Sequence, residues 1–297
     1  MRAGEIFQFY KSLVGRAPYP GFTLVFTERD VPGGHSPAYF AVVDQVTFIG
    51  TISWRGDPVN FENYPAFFVA HELAHQWWGQ GVGWKNYHEQ WISEGFAQYF
   101  ALLYAERKLD GVAPNVLRQM RRTAISQSSQ GPVYLGYRLG HIKSQTPVFR
   151  SVVYNKAAMV LHMLRGLLGE EAFFRGMRTF YTDWKFKKAG TEDLRAAMEK
   201  ASGQDLKPFF DAWIYGTDIP HVAVKHVVQG STATVTIEQR GDVIPVPVTV
   251  TLVYAGGNTE RLVIPATGRT TTKNLALTGP LRELVVNEEQ SLAVFER

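Results

Sequence analysis

No cysteine occurs in this sequence. A disulfide framework, a thiolate metal site and a thiol nucleophile are therefore excluded, and either redox compartment stays compatible. Long apolar runs are also missing. Nothing approaches the ~20 residues that cross a bilayer as a helix, so no transmembrane segment is expected. The N-terminus, MRAGEIFQFYKSLVG, lacks the uninterrupted apolar core of a signal peptide. It reads as a short amphipathic helix with Ile6, Phe9, Tyr10 and Leu13 at helical spacing, and the chain is expected to begin inside a folded domain. Charge of one sign is in short supply too: the net charge is only +4. The basic runs RQMRR (118–122) and KFKK (185–188) read as solvated faces or helix ends, so nucleic acid is not an expected partner. The sequence carries no signature of a compartment or of an oligomeric state.

What is present is a folded chain of 297 residues with 45% apolar content, long enough for one large domain or two ordinary ones. The pattern along it changes twice. Residues 21–54 are rich in β-branched and aromatic residues, GFTLVFTE and YFAVVDQVTFI, parted by the turn-forming DVPGGHSP. From about Ala66 to Gly216 apolar residues recur at helical spacing, as in AFFVAHELAHQWWG, EQWISEGFAQYFALLYAERK and NKAAMVLHMLRGLLG. After Pro220 the segments HVAVKHVVQ, TATVTIEQR, VPVTVTLVYA, TERLVIPA and RELVVNE alternate apolar and polar. This predicts an α+β chain: residues 1–217 as a mostly helical domain with a small N-terminal β-sheet, and residues 218–297 as an antiparallel β-sandwich. His221 and His226 in the first of those strands are expected to be structural.

The segment VAHELAHQWWG (69–79) carries the chemistry. On a helix, residues i and i+4 share a face, so His71 and His75 can point two imidazoles at one ion with Glu72 beside them. Two histidines alone are an incomplete site, because a catalytic zinc takes three protein ligands and keeps one position open. Glu94, in WISEGFAQYF, follows His75 after 18 intervening residues, room for a loop and the start of a second helix. A carboxylate there completes a two-histidine, one-glutamate set.

These residues resemble the aminopeptidase N and leukotriene hydrolase family of gluzincin metallopeptidases. The likeness rests on HELAHQWWG, on WISEGFAQY at the family's spacing, and on VVYNKAAMVLHMLR, which is similar to the family's Tyr-x-Lys-Gly-Ala segment with Ala157 where glycine is usual. It continues through FFDAWIYGTDIP and covers most of residues 1–220, and the following strands resemble the small β domain of many members. The resemblance implies a thermolysin-like catalytic domain and a zinc-dependent peptidase acting on peptides. It implies one Zn2+ per chain, held by His71, His75 and Glu94. Glu72 would serve as general base on water and then pass the proton to the leaving amine. Tyr154 matches the tyrosine that stabilises the oxyanion.

Two departures bear on specificity and metal affinity. Many members carry an acid seven residues after the glutamate ligand; here that residue is Ala101, and Glu89 is a candidate to orient a zinc-bound histidine. Family aminopeptidases also carry a Gly-x-Met-Glu-Asn segment whose glutamate grips the substrate's α-ammonium. The corresponding place here is PGGHSPAYF: Gly33 and Gly34 keep the permissive backbone as candidate substrate-binding residues, but His35, Ser36 and Pro37 follow instead of a glutamate. The acids Asp44, Asp57 and Glu62 remain nearby in the sequence. An aminopeptidase is the family default; the missing anchor points to an endopeptidase or a peptidase of altered specificity. A zinc-stabilised binding module without catalysis is the reading from another class.

Overall fold

In the computed structural model, residues 2–27, 34–44, 57–61, 64 and 66–296 are described. Gly33, Glu62 and the 45–54 end of the second predicted strand lie outside them. Helix α1 (Ala3–Val14) buries Ile6, Phe9, Tyr10 and Leu13 as their spacing demands, and ends at Gly15 in the left-handed conformation (φ 95°) that glycine accepts freely. The Tyr10 hydroxyl donates to Ala70 O at 2.9 Å, fixing α1 against the helix that carries the histidines.

A three-stranded sheet follows: β1 (Thr23–Thr27), β2 (Gly34–His35) and β3 (Phe40–Asp44), in the order β1-β3-β2. β1 runs parallel to β3, and β2 pairs antiparallel with it through Gly34–Val43 and His35–Val42. This leaves β2 at one edge of the sheet.

All eight residues of α2 (Phe67–Ala74) are buried. A helix apolar on every side belongs inside a core, so the two polar side chains it buries, His71 and Glu72, need partners there. The helical register ends sooner than the apolar pattern predicts, in turns from His75 onward. Helix α3 (Trp91–Lys108) packs beside α2, and β4 (Gly83–Trp84) links the two regions through a parallel pairing with β5 (Lys188–Ala189). Helix α4 (Ala113–Gln127) precedes a continuous helical run made of α5 (Thr146–Phe149), a π-helical turn (Arg150–Lys156) and α6 (Ala157–Leu168). Tyr154 thus sits inside a widened turn of a longer helical run, not at a helix start. A methyl on Gly95 would lie 2.5 Å from Ala157 Cβ. Glycine at 95 therefore gives α3 the close approach to this run that a glycine at 157 would otherwise have to supply. Helices α7 (Glu170–Trp184), α8 (Thr191–Ser202) and α9 (Lys207–Phe210) complete the helical part.

From His221 the chain forms two sheets, β10-β7-β6-β12 and β11-β8-β9. β6 (His221–Gln229), β7 (Thr232–Arg240), β8 (Val246–Tyr254), β9 (Thr259–Ala266) and β11 (Leu281–Val286) fall on the alternating segments. β10 (Thr270–Ala276) and β12 (Val294–Glu296) do not, and β12 pairs parallel with β6, so this unit is not wholly antiparallel. His221 and His226 are exposed on β6. The run 118–122 is not merely solvated: Arg121 donates to the carbonyls of Ser291 and Ala293, tying α4 to the C-terminal strands. Among the described residues no helix is long and apolar enough to cross a membrane.

Candidate active site

Helix α2 and the turn that ends it bring His71 and His75 together, and the first turn of α3 brings Glu94 to them. Their ligand atoms form a triangle: His71 Nε2 to His75 Nε2 is 3.1 Å, and Glu94 Oε2 lies 3.4 and 3.3 Å from the two nitrogens. A four-coordinate ion with nitrogen and oxygen ligands at about 2.0–2.2 Å separates neighbouring ligand atoms by about 3.3–3.6 Å. The observed triangle is close to that, so these three side chains fit a divalent cation without rearrangement. Glu72 lies against the same cluster.

The outer nitrogen of His75 is also fixed. Its Nδ1 donates to Trp78 O at 3.1 Å, with Ser93 Oγ at 3.0 Å. In the neutral ring that bond leaves the lone pair on Nε2, facing the triangle. His71 Nδ1 has no hydrogen-bond partner among the described residues, in line with Ala101 offering none. Instead the His71 ring stacks on Tyr154, with centroids 5.8 Å apart and planes 5° from parallel. Glu89 does not serve the histidines. It is buried, and its Oε2 accepts from Thr191 N (2.9 Å) and Thr191 Oγ1 (2.6 Å), closing the start of α8. Ser93, adjacent to Glu94, is the residue that does reach His75.

The electrostatics show what the triangle wants. Burial by itself pushes the His75 pKa down, but the Glu94 carboxylate outweighs it and raises the ring to about 9. Burial likewise pushes Glu94 up, and the two imidazoles outweigh that and hold it well below the usual carboxylate range. The cluster is built for a positive charge at its centre. Burial, then Glu94, push the Tyr154 phenol well above its ordinary value, so its hydroxyl keeps its proton at neutral pH.

These groups line a cleft of about 390 Å3 together with Gly34 and His35 of β2 and Ser36, which follows that strand. A larger hollow, about 580 Å3 between α6 and the C-terminal strands, is lined by His162, Arg165 and Pro247 and lies apart from the triangle; the donor cluster and not cavity size picks out the site. The β2 wall reaches Glu72 directly. Ser36 Oγ donates to Glu72 Oε2 at 2.5 Å, and a methyl on Gly34 would fall 2.3 Å from the Glu72 carboxyl carbon. Of the upstream acids, Asp57 pairs with Arg150, which lines the cleft, and Asp44 ends β3.

Comparison with known proteins bears on the fold and the family. The solved aminopeptidase A of Legionella pneumophila matches with a TM-score of 0.72 over 99% of this chain and 34% of that one. At 15% identity this is a likeness of fold. Aminopeptidase M1-C of Oryza sativa subsp. japonica is 30% identical over 177 residues, 58% of this chain and 20% of the relative. Glutamyl aminopeptidase of Rattus norvegicus is 32% identical over 162 residues, 54% of this chain and 17% of the relative. The chain thus matches about a fifth of the length of these curated relatives. The solved structure and both of these relatives are aminopeptidases. Residues 60–213 match the Peptidase family M1 domain, more than half of the chain, and the chain belongs to peptidase family M1.

Proposed function

We propose that this chain is the catalytic region of a zinc metallopeptidase, with residues 1–217 as a thermolysin-like unit and residues 218–297 as a β-sandwich packed behind it. The observation that carries the reading is the 3.1–3.4 Å triangle of His71, His75 and Glu94, set in a cleft beside Glu72 and Tyr154. One zinc ion per chain would be held there. When bound, zinc supplies Lewis acidity, lowering the pKa of water toward neutrality and polarising the scissile carbonyl. Glu72 takes the proton of the attacking water on its carboxylate and delivers it to the leaving amine. Tyr154, kept protonated by burial and by Glu94, donates a hydrogen bond to the developing oxyanion.

Metal binding has a proton signature. With His75 raised to about 9, the metal-free site holds a proton on that ring at pH 7. Zinc takes the unprotonated ring, so binding at pH 7 should release about one proton from this site. The slope of calorimetric heat against buffer ionisation enthalpy reads that number; a slope of zero would mean that His75 is already neutral.

For the substrate, the wall at Gly34, His35 and Ser36 offers no carboxylate for an α-ammonium. The reading is a peptidase of altered specificity that does not require a free N-terminus. Zinc-loaded chain incubated with matched peptides, free or acetylated, should cleave both, with kcat/KM differing by less than about 10-fold. A buried ion pair to the amine would make the gap about 100-fold or more. Single-residue trimming of free peptides alone would place an amine anchor elsewhere and restore the aminopeptidase reading.

A further inference from the structure

The neutral residue on the β2 wall has a partner, and that partner is Glu72. We propose that Ser36 is a positioning residue: its hydroxyl holds Glu72 Oε2 and aims the carboxylate at the water, a task that rests on the reading of Glu72 as general base.

Three observations converge on it. The first is the hydrogen bond itself, from Ser36 Oγ to Glu72 Oε2 at 2.5 Å. The segment that carries Ser36 is fastened to the turns that follow directly on the helix carrying Glu72. Gln76 and Gln80 follow Glu72 at four-residue intervals. Gln80 Nε2 donates to Ser36 O at 2.9 Å, and Gln76 Nε2 donates to Pro37 O at 3.1 Å and Phe40 O at 3.3 Å. Gln76 Oε1 accepts in return from Tyr39 N at 3.0 Å. Each rung of this ladder is a side-chain amide to backbone bond, so it holds residues 36–40 against the end of α2 whatever side chain stands at position 36. Pro37 adds a third restraint, because a residue preceding proline is held extended. The result is a hydroxyl whose backbone is fixed at the distance one hydrogen bond requires.

The chemistry follows from what each group can offer. An ionised carboxylate only accepts, and it has two oxygens. A hydroxyl donating to Oε2 fixes the carboxyl plane and leaves Oε1 to take the proton from water. The helix alone does not do this, since the last torsion of a glutamate is broad and roughly two-fold. A second carboxylate at this height would face Glu72 with like charge, whereas the serine hydroxyl serves it. The wall that lacks an anchor for the substrate's amine is in this way used to steady the base.

The test compares Ser36→Ala, Ser36→Thr and Glu72→Gln with the wild-type chain, all zinc-loaded. Ser36→Ala should lower kcat by about 10- to 100-fold, the scale of one charge-assisted hydrogen bond, with KM and zinc stoichiometry within about twofold. Ser36→Thr keeps the hydroxyl and suits an extended segment, and should recover most of the rate. Binding of a phosphinic peptide, a tetrahedral mimic of the reaction, should weaken in Ser36→Ala and recover in Ser36→Thr, a readout independent of turnover. A Ser36→Ala chain with wild-type kcat, or one in which KM alone rises, would overturn the proposal; the second result would put Ser36 on the substrate. If Ser36→Thr stays as slow as Ser36→Ala while folded and zinc-loaded, the hydroxyl is not the cause and the proposal also fails. A fully active Glu72→Gln would sink the base assignment itself, and so separates that failure from a failure of Ser36 alone.

Discussion

Glu72→Gln should leave a folded, zinc-loaded chain whose kcat is lower by about 10^2- to 10^4-fold, the range expected for loss of a general base. The substitution is nearly isosteric, and the amide oxygen can still accept the Ser36 hydroxyl that now meets Oε2. The three atoms of the metal triangle belong to His71, His75 and Glu94, so stoichiometric zinc should be retained. What is lost is the capacity to carry a proton, since an amide does not ionise in the working range. Steady-state kinetics alongside metal analysis check both halves. A drop in zinc content would mean that Glu72 helps hold the ion. Activity within about tenfold of wild type would mean that proton transfer runs through another group.

The parts of this molecule that were legible in its sequence are those where a local pattern meets a local cause. Helix α1, strands β7 and β9, and the facing of His71 on His75 follow from periodicity, because burial of one face enforces it. Strand β10 was missed for the opposite reason. Of its seven residues only Leu275 is buried, and its Thr-Lys-Asn sequence shows no apolar alternation; what makes it a strand is backbone pairing with β7. Glu89 shows a different limit. Its position near the zinc helices suggested an orienting role, but a carboxylate takes whichever donors are nearest, and the start of α8, over 100 residues away in sequence, supplies them. The contacts that shape the site most are of this long-range kind: Ser36 to Glu72 across 36 positions, and Ser93 to His75 across 18. Serine carries no pattern of its own, and only the folded chain gives it an address.

Gly34 has the same kind of hidden role, and its substitution makes the second large effect. In Gly34→Ala the new Cβ would lie 2.3 Å from both the Cδ and the Oε1 of Glu72 and 2.4 Å from its Cγ, distances no real Cβ tolerates. Something must move, and the atoms in the way are the far end of a flexible side chain and not backbone. Gly34 itself lies in an extended strand, where alanine's backbone is allowed. Folding should therefore be nearly indifferent: loss of unfolded-chain freedom favours alanine by about 0.4–1 kcal/mol, which offsets the cost of turning Glu72 aside. Catalysis should not be indifferent, because displacing a reacting group by about 1 Å can cost about 100-fold in rate. The expected result is a thermal midpoint close to wild type, intact zinc stoichiometry, and kcat lower by about 100-fold or more. Gly21→Ala is the control, since a Cβ there meets nothing within 4 Å; it should match wild type in both midpoint and rate. Equal rates for Gly34→Ala and wild type would show that Glu72 works from a position away from the β2 wall. A loss of stability matching the loss of rate would show that the strand and not the carboxylate gives way.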